Sequence, residues 1–156
     1  MCIRDRWSTS ALEEGQIGWD WFSIQLDDGP DVMVYTIRSI DGEPGRLSSG
    51  TVVTTESVTI LDSSDYQLAP VRRWTSPRTG AAYPVVWKLE LPNEGLSLDV
   101  AAVVEAQELV TAESTGVTYW EGTVDVSGTR NGEDIAGRGY LEMTGYAGPP
   151  MSTVLR

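Results

Sequence analysis

The 156-residue sequence contains no histidine, one cysteine and one lysine. Without histidine there is no Ser/His catalytic triad, and without a cluster of cysteines or histidines there is no ordinary zinc site. Neither a Walker phosphate loop nor a dinucleotide-binding glycine motif occurs in the sequence. We therefore expect no cofactor and no metal, and any chemistry must come from carboxylates and aromatic rings.

Positive charge is also scarce. The net charge is -12, and no basic cluster is longer than Arg72-Arg73. Nucleic acid is therefore excluded as an expected partner, because its phosphates need a basic surface. No apolar run approaches the roughly 18 residues of a membrane helix, so no membrane span is expected. Asp27, Asp28 and Asp31 lie close together, but their spacing fits no EF-hand loop, and a solvated turn is the favoured interpretation over a calcium site.

The first six residues, 1–6, resemble a translated sequencing adapter, and we expect them to be foreign to the fold. The only cysteine, Cys2, lies among them. On this interpretation residues 7–147 form one domain, residues 148–156 are a frayed tail, and Trp7 is an interior residue of a longer protein whose N-terminal part is missing.

The clearest strand begins at Gly-Trp-Asp-Trp-Phe, residues 18–22. A period of two places Trp19 and Trp21 on one face and Asp20 and Phe22 on the other. An Asp-Asp-Gly-Pro turn follows, and residues 31–38 are predicted to return as the second strand of a hairpin. Since neither face is cleanly polar, we expect one packed side and one side that faces a cavity.

Similar patterns continue along the chain. Residues 85–91 alternate strictly, which predicts a half-buried strand with Lys88 and Glu90 more exposed than Val85, Trp87, Leu89 and Leu91. Residues 96–104 fit a strand or, through their alanines, the start of a helix, and β-branching favours the strand. Asn-Gly at 131–132 predicts a tight hairpin turn. About nine or ten strands without a convincing helix predict an all-β, antiparallel barrel or sandwich.

The candidate chemistry lies where carboxylates neighbour aromatic rings. Asp20 is a candidate general acid, because a dry environment would raise its pKa; the structural alternative is a strand residue bonded to backbone amides. Glu121 and Glu142 also neighbour aromatic rings, and each is either a candidate general acid or, as the favoured alternative, a structural residue. Tryptophan and tyrosine rings are more often core, but in a wide barrel they line pockets for flat or polyene-like molecules. The predicted ligand-binding residues are Trp19, Trp21, Tyr35, Trp87, Trp120, Glu121 and Tyr140.

Several motifs, taken together and in order, resemble one family. They include Gly-Trp-Asp-Trp-Phe at 18–22, Thr-Ser-Pro-Arg-Thr-Gly at 75–80, Tyr-Trp-Glu-Gly at 119–122 and the glycine-rich stretch 137–146. This set resembles the C-terminal half of the AttH-like, carotenoid 1,2-hydratase-related proteins, which are also described as secreted hydrolases. The resemblance runs from Trp7 to about residue 147.

The resemblance implies an antiparallel lipocalin-like β-barrel that pairs with a second, N-terminal barrel, with a ligand cavity near their junction. It places Trp7 at the tryptophan of the family's Asp-His-Glu-Trp segment, so Trp7 joins Asp20 as a candidate catalytic residue. The family's histidine is absent, and no Tyr-x-Asp occurs. The resemblance also implies a periplasmic or secreted protein.

Two functions follow as expectations. The first is the C-terminal domain of a hydratase or hydrolase-like protein acting on an apolar isoprenoid or lipid-like molecule, with the fragment itself inactive. The second is a non-catalytic barrel that carries a hydrophobic ligand or supports the missing domain. Family members that are pericyclases would need a shaped pocket more than an acid.

Overall fold

A computed structural model describes residues 15–41, 44–45, 47–111 and 116–154, with the backbone alone for residues 153–154. Ten strands dominate these residues, which confirms the predicted all-β class. The strands are β1 Gln16–Leu26, β2 Asp31–Ser39, β3 Ser49–Val53, β4 Val58–Asp62, β5 Gln67–Thr75, β6 Ala82–Leu91, β7 Leu96–Ala102, β8 Glu108–Val110, β9 Thr118–Arg130 and β10 Glu133–Thr144. A 3₁₀ turn, Pro92–Glu94, joins β6 to β7, and a four-residue helix, α1 Met151–Val154, follows the last strand.

The strands form one curled antiparallel sheet in the order β4-β3-β2-β1-β10-β9-β7-β6-β5, which makes a lipocalin-like half-barrel. Strand β8 lies off this path and pairs with the start of β9. Farther along, β9 pairs with β7, so both β7 and β8 lie along one 13-residue strand. Residues 96–102 are therefore strand, as β-branching predicted, and the chain leaves the sheet at residues 103–107 before β8 begins.

Alternation along each strand builds the core. On β1, Phe22 and Ile24 are fully buried, whereas the residues that alternate with them, Trp21, Ser23 and Gln25, are half-buried or exposed. Strand β6 has the predicted alternation of burial: Lys88 and Glu90 are half-buried, and the apolar residues that alternate with them are buried. Its buried residues are Val85, Trp87, Leu89 and Leu91. Because burying one such side chain contributes roughly 1.5–3 kcal/mol, the inner face of the sheet is the main source of stability.

Glycine is required where the chain turns or strands come close. Asn131 and Gly132 have φ values of 52° and 86°, so the predicted Asn-Gly turn has the left-handed conformation that tight hairpins need. On β10, a Cβ at Gly139 would lie 2.4 Å from the carbonyl oxygen of Ser23 on β1. Any larger residue at this position would push β1 and β10 apart.

The tail differs from the expected frayed end. Met151 is 2% exposed and packs with Val117 and Tyr119 on the outer face of the sheet, against the half-buried Trp19. The apolar Met151 side chain thus holds α1 against β1 and β9. Over the part of the chain that the structure describes, no helix has the length and apolarity needed to cross a membrane.

Candidate active site

Asp20 lies in the middle of β1 and faces inward, where it is only 2% exposed. Its Oδ2 atom is 3.0 Å from Nε of Arg38, and its Oδ1 atom accepts a hydrogen bond of 3.0 Å from the hydroxyl of Tyr146. Burial is the largest influence on this carboxyl and raises its pKa from 3.8 to about 6, although Arg38 and Tyr146 both act to lower it. Asp20 therefore titrates close to neutral pH.

Arg38, on β2, is held by several groups at once. Its guanidinium lies 3.9 Å from the centre of the Tyr146 ring, and Nη2 donates to the carbonyl oxygen of Thr144. The Nε contact with Asp20 is an ion pair whose N–H is not well aligned for a hydrogen bond. A Cβ at Gly18 would lie 2.3 Å from the Thr144 oxygen and 2.9 Å from Nη2, so glycine makes room for the arginine.

Tyr146 follows β10 and connects the carboxyl to a group of aromatic rings. Its ring centre is 5.3 Å from that of Tyr83, which stacks on Trp74 at 6.2 Å and 26°. Burial, followed by the charge of Asp20, raises the pKa of Tyr146 well above its ordinary value. The phenol therefore stays protonated, and it remains a hydrogen-bond donor to Asp20 throughout the physiological range.

Glu108, on β8, fixes the other side of this aromatic group. Its carboxylate accepts hydrogen bonds from Ser76 Oγ at 2.6 Å, Thr79 Oγ1 at 2.5 Å and the Tyr83 hydroxyl at 2.9 Å. Burial and this carboxylate raise the pKa of Tyr83. The Thr-Ser-Pro-Arg-Thr-Gly motif thus forms a loop that Glu108 ties to the ring packed against Tyr146.

Five of the predicted ligand-binding residues lie on the opposite, outer face of the sheet. They are Trp19, Trp21, Tyr35, Glu121 and Tyr140, and each is half-buried or exposed. The Trp19 indole donates to Glu142 Oε1 at 2.8 Å. Burial, and then the charge of Glu142, raises the pKa of Tyr35 to about 12. Glu121 and Tyr140 also line an open cleft of about 370 Å³ beside residues 106–109.

The other predicted residues are placed differently. Trp87 and Trp120 belong to the core, at 4% and 0% exposure, and their indole nitrogens donate to the carbonyls of Pro84 and Glu105. Trp7 lies outside the described residues. The structure therefore separates Asp20 from the outer aromatic residues and groups it with Arg38 and Tyr146, neither of which the sequence singled out as a site residue.

Among the residues that the structure describes, no group of three or more His, Cys, Asp or Glu side chains is arranged to hold a metal ion. The chemistry that this site can perform is proton transfer. Asp20 changes its protonation near neutral pH, Tyr146 supplies a hydroxyl in contact with it, and Arg38 supplies a permanent positive charge.

Comparison with known proteins assigns this half-barrel to a family. The profile of the AttH-like family matches residues 4–146. A crystal structure of a putative AttH from Nitrosomonas europaea is 33% identical, with a TM-score of 0.76, over 88% of this chain and 41% of that one. The chain belongs to the AttH-like family, as the sequence motifs indicated.

A second solved structure shares the fold at lower identity. Kievitone hydratase from Nectria haematococca is 20% identical, with a TM-score of 0.69, over 85% of this chain and 40% of that one. The chain thus spans about two fifths of each of these solved relatives. A search of curated proteins found no match.

Proposed function

We propose that this chain is the C-terminal lipocalin-like domain of a larger carotenoid 1,2-hydratase- or AttH-like protein that acts on an apolar isoprenoid or lipid-like molecule, with Asp20 as its general acid. The observation that carries the proposal is the buried Asp20 carboxyl, which bonds to Tyr146 and has a pKa near 6. A strongly perturbed carboxyl of this kind is typical of a functional site.

Hydration of an alkene needs such a group. In the proposed reaction the protonated Asp20 carboxyl gives its proton to one alkene carbon, and water adds to the other carbon, which carries the developing positive charge. A proton from that water returns to the carboxylate, so the net change is alkene plus water to alcohol. The Tyr146 hydroxyl, which contacts Oδ1, passes the proton of the water back to Asp20 in this proposal: it gives its own proton to the carboxylate and takes one from the water.

In this proposal the chain alone is inactive, and the N-terminal barrel completes the site. Support comes from the apolar residues exposed on the edge strands β4 and β5, where Ile60 is 80% exposed and Val58 and Val71 are each 63% exposed. Edge strands are ordinarily protected, so a covering domain accounts for these side chains. We also propose export to the periplasm or beyond, in keeping with the family resemblance.

A non-catalytic role is the alternative, and one observation favours it. Asp20 is only 2% exposed, and both of its oxygens already contact protein groups. A carboxyl held in this way is also suited to fixing β1, β2 and the end of β10 together in a hydrophobic-ligand carrier or a supporting barrel.

The decisive experiment uses the longer protein, with its N-terminal domain present and an acyclic isoprenoid alkene as substrate. Asp20→Asn should lower kcat at least about 100-fold, since general acids contribute about 10²–10⁴-fold, while the fold is retained. Asp125→Asn, at an exposed position 3.9 Å from Arg138, is the matched control. Equal turnover in Asp20→Asn removes Asp20 as the acid, whereas absence of turnover in the wild-type longer protein leaves the carrier.

A further inference from the structure

The sheet ends at β4 on one side and at β5 on the other, and these edges differ in their protection against another strand. On β5, Pro70 has no N–H to offer, and the pairing with β6 is irregular on both sides of Arg72. The Arg72 side chain is charged and pairs with Glu105 at 2.5 Å. Proline, bulges and charged side chains are the means by which natural sheets prevent edge pairing, so the β5 edge is protected.

Strand β4, Val-Thr-Ile-Leu-Asp at 58–62, lacks a proline and a basic residue, and its one charged residue, Asp62, lies at its end. Its five residues pair with β3 without a break in register. Val58 and Ile60 are 63% and 80% exposed. This β-branched, uninterrupted strand is therefore the edge to which another strand can be added.

The hydrogen bonds show which backbone groups of β4 face away from β3. At the turn between these strands, the N–H of Thr54 donates to the carbonyl oxygen of Ser57 at 2.9 Å, so these two residues form a hydrogen-bonded pair. From that pair, bonded and non-bonded pairs alternate along the antiparallel ladder, and every second residue of β4 points its N–H and C=O away from β3. The outward-pointing residues are Val58, Ile60 and Asp62.

Asp62 already has partners for its outward groups. Its N–H donates to Oδ2 of Asp65 at 2.9 Å, and its carbonyl oxygen accepts from the N–H of Asp65 at 3.1 Å. On Val58 and Ile60, in contrast, the outward N–H and C=O groups face no strand within the described part of the chain, since β4 ends the sheet there. An added strand can therefore form two pairs of backbone hydrogen bonds at these two residues.

A second copy of this chain fits the β4 edge poorly. If Ile60 lay opposite Ile60 of the other copy, Val58 would face Asp62, whose backbone groups are already bonded. If Val58 lay opposite Ile60 instead, Glu56 of each copy would lie beside Asp62 of the other, and like charges placed opposite each other are destabilising. Each copy also has a net charge of -12. The edge therefore suits a strand of different sequence.

We propose that a strand of the N-terminal domain of the longer protein adds to the free edge of β4 and bonds to the backbone of Val58 and Ile60. This inference rests on the proposed function, and it specifies where the two domains join. This chain spans about two fifths of each solved relative, so in such a protein the larger part of the polypeptide lies outside it. A covalently attached domain has a high effective concentration, which suits a pairing through few hydrogen bonds.

Amide hydrogen exchange, followed by NMR, tests the pairing at single residues. In the 156-residue chain, the N–H groups of Val58 and Ile60 should exchange at least about tenfold faster than those of Thr59 and Leu61, which point toward β3. In the longer protein, exchange at Val58 and Ile60 should slow by at least about tenfold. Exchange at Val71, on the protected edge β5, is the internal control and should not change.

Two substitutions separate the backbone contact from the apolar side chain. Both Ile60→Pro and Ile60→Thr remove the exposed apolar group, but only Ile60→Pro removes the outward N–H. In the longer protein, Ile60→Pro should restore fast exchange at Val58, whereas Ile60→Thr should leave Val58 protected. In the 156-residue chain, Ile60→Pro should fold with an unchanged Tm, because proline is tolerated where the N–H of an edge strand faces outward.

Fast exchange at Val58 and Ile60 in the longer protein overturns the inference. Slow exchange of the same groups in the 156-residue chain alone also overturns it, and protection that grows with protein concentration would assign the edge to a second copy. The proposed acid is judged separately. Protection of Val58 and Ile60 in a longer protein whose Asp20→Asn variant turns over normally would overturn the acid and leave the strand pairing in place.

Discussion

The hydroxyl of Tyr146 lies 3.0 Å from Oδ1 of Asp20, although 126 residues separate them in the sequence. This contact joins the first strand of the half-barrel to the segment that follows the last one. The uncharged Tyr146 hydroxyl thus donates a hydrogen bond to a carboxyl whose pKa burial has raised toward neutral pH. Structure and proposed chemistry therefore depend on the same pair of residues.

The Asp20 carboxyl should make folding stability fall as pH rises. Its folded pKa of about 6 lies above the ordinary 3.8, so its contribution is full below about pH 4 and is lost as pH passes through 6. Urea unfolding of the wild type, compared with Asp20→Asn, should show a relative loss of about 2.4 kcal/mol between pH 4 and 7. A pH-independent difference would contradict the buried, titrating carboxyl.

Tyr146→Phe isolates the hydroxyl, since phenylalanine keeps the ring over which Arg38 lies. The hydroxyl lowers the pKa of Asp20, so its removal should move the midpoint of the Asp20-dependent stability change to higher pH. Tyr140→Phe, on the outer face, is the control and should leave the midpoint where it is. A midpoint that stays constant or falls in Tyr146→Phe would show that the hydroxyl does not act on Asp20.

Glu108→Ala should cost about 2–4 kcal/mol, because it leaves three hydroxyls without their acceptor, two of them on the buried Ser76 and Tyr83. Glu90→Ala is a suitable comparison, since Glu90 accepts one side-chain hydrogen bond, from Ser97 at 2.8 Å, and should cost less than about 1 kcal/mol. Chemical denaturation measures both. Equal costs would mean that the Glu108 network adds nothing beyond an ordinary surface contact.

The exposed apolar edge should be detectable in the isolated chain. Ile60→Lys should reduce binding of a hydrophobic fluorescent dye and self-association, while stability changes by less than about 0.5 kcal/mol because Ile60 is 80% exposed. Adding the N-terminal domain should reduce dye binding to the wild type as well. Dye binding that is unaffected by either change would mean that the dye binds an apolar surface other than this edge strand.

Local patterns were enough to predict much of the fold. Period-two alternation predicted β6 and the hairpin of β1 and β2, and it assigned Asp20 and Phe22 to the same face. Alternation also separated Trp19 and Trp21 from Asp20, but it did not show that their face is the outside of the barrel. That outcome depends on how the whole sheet curls.

The partners of Asp20 could not be predicted in the same way. Arg38 reaches it through the register of β1 on β2, and Tyr146 through the pairing of β1 with β10, neither of which is encoded in a short motif. Gly18 was a usable signal, since a glycine inside a strong strand indicates close approach of another group. Its actual neighbours are Arg38 and Thr144.

The most direct test of the account is a ¹³C NMR titration of the side-chain carboxyls of the 156-residue chain, with the Asp20 resonance identified by its loss in Asp20→Asn. The account predicts a midpoint near pH 6 for this resonance. A midpoint at or below the ordinary 3.8 would mean that Arg38 and Tyr146 outweigh burial, and that Asp20 is a permanently charged structural residue with no proton to donate near neutral pH.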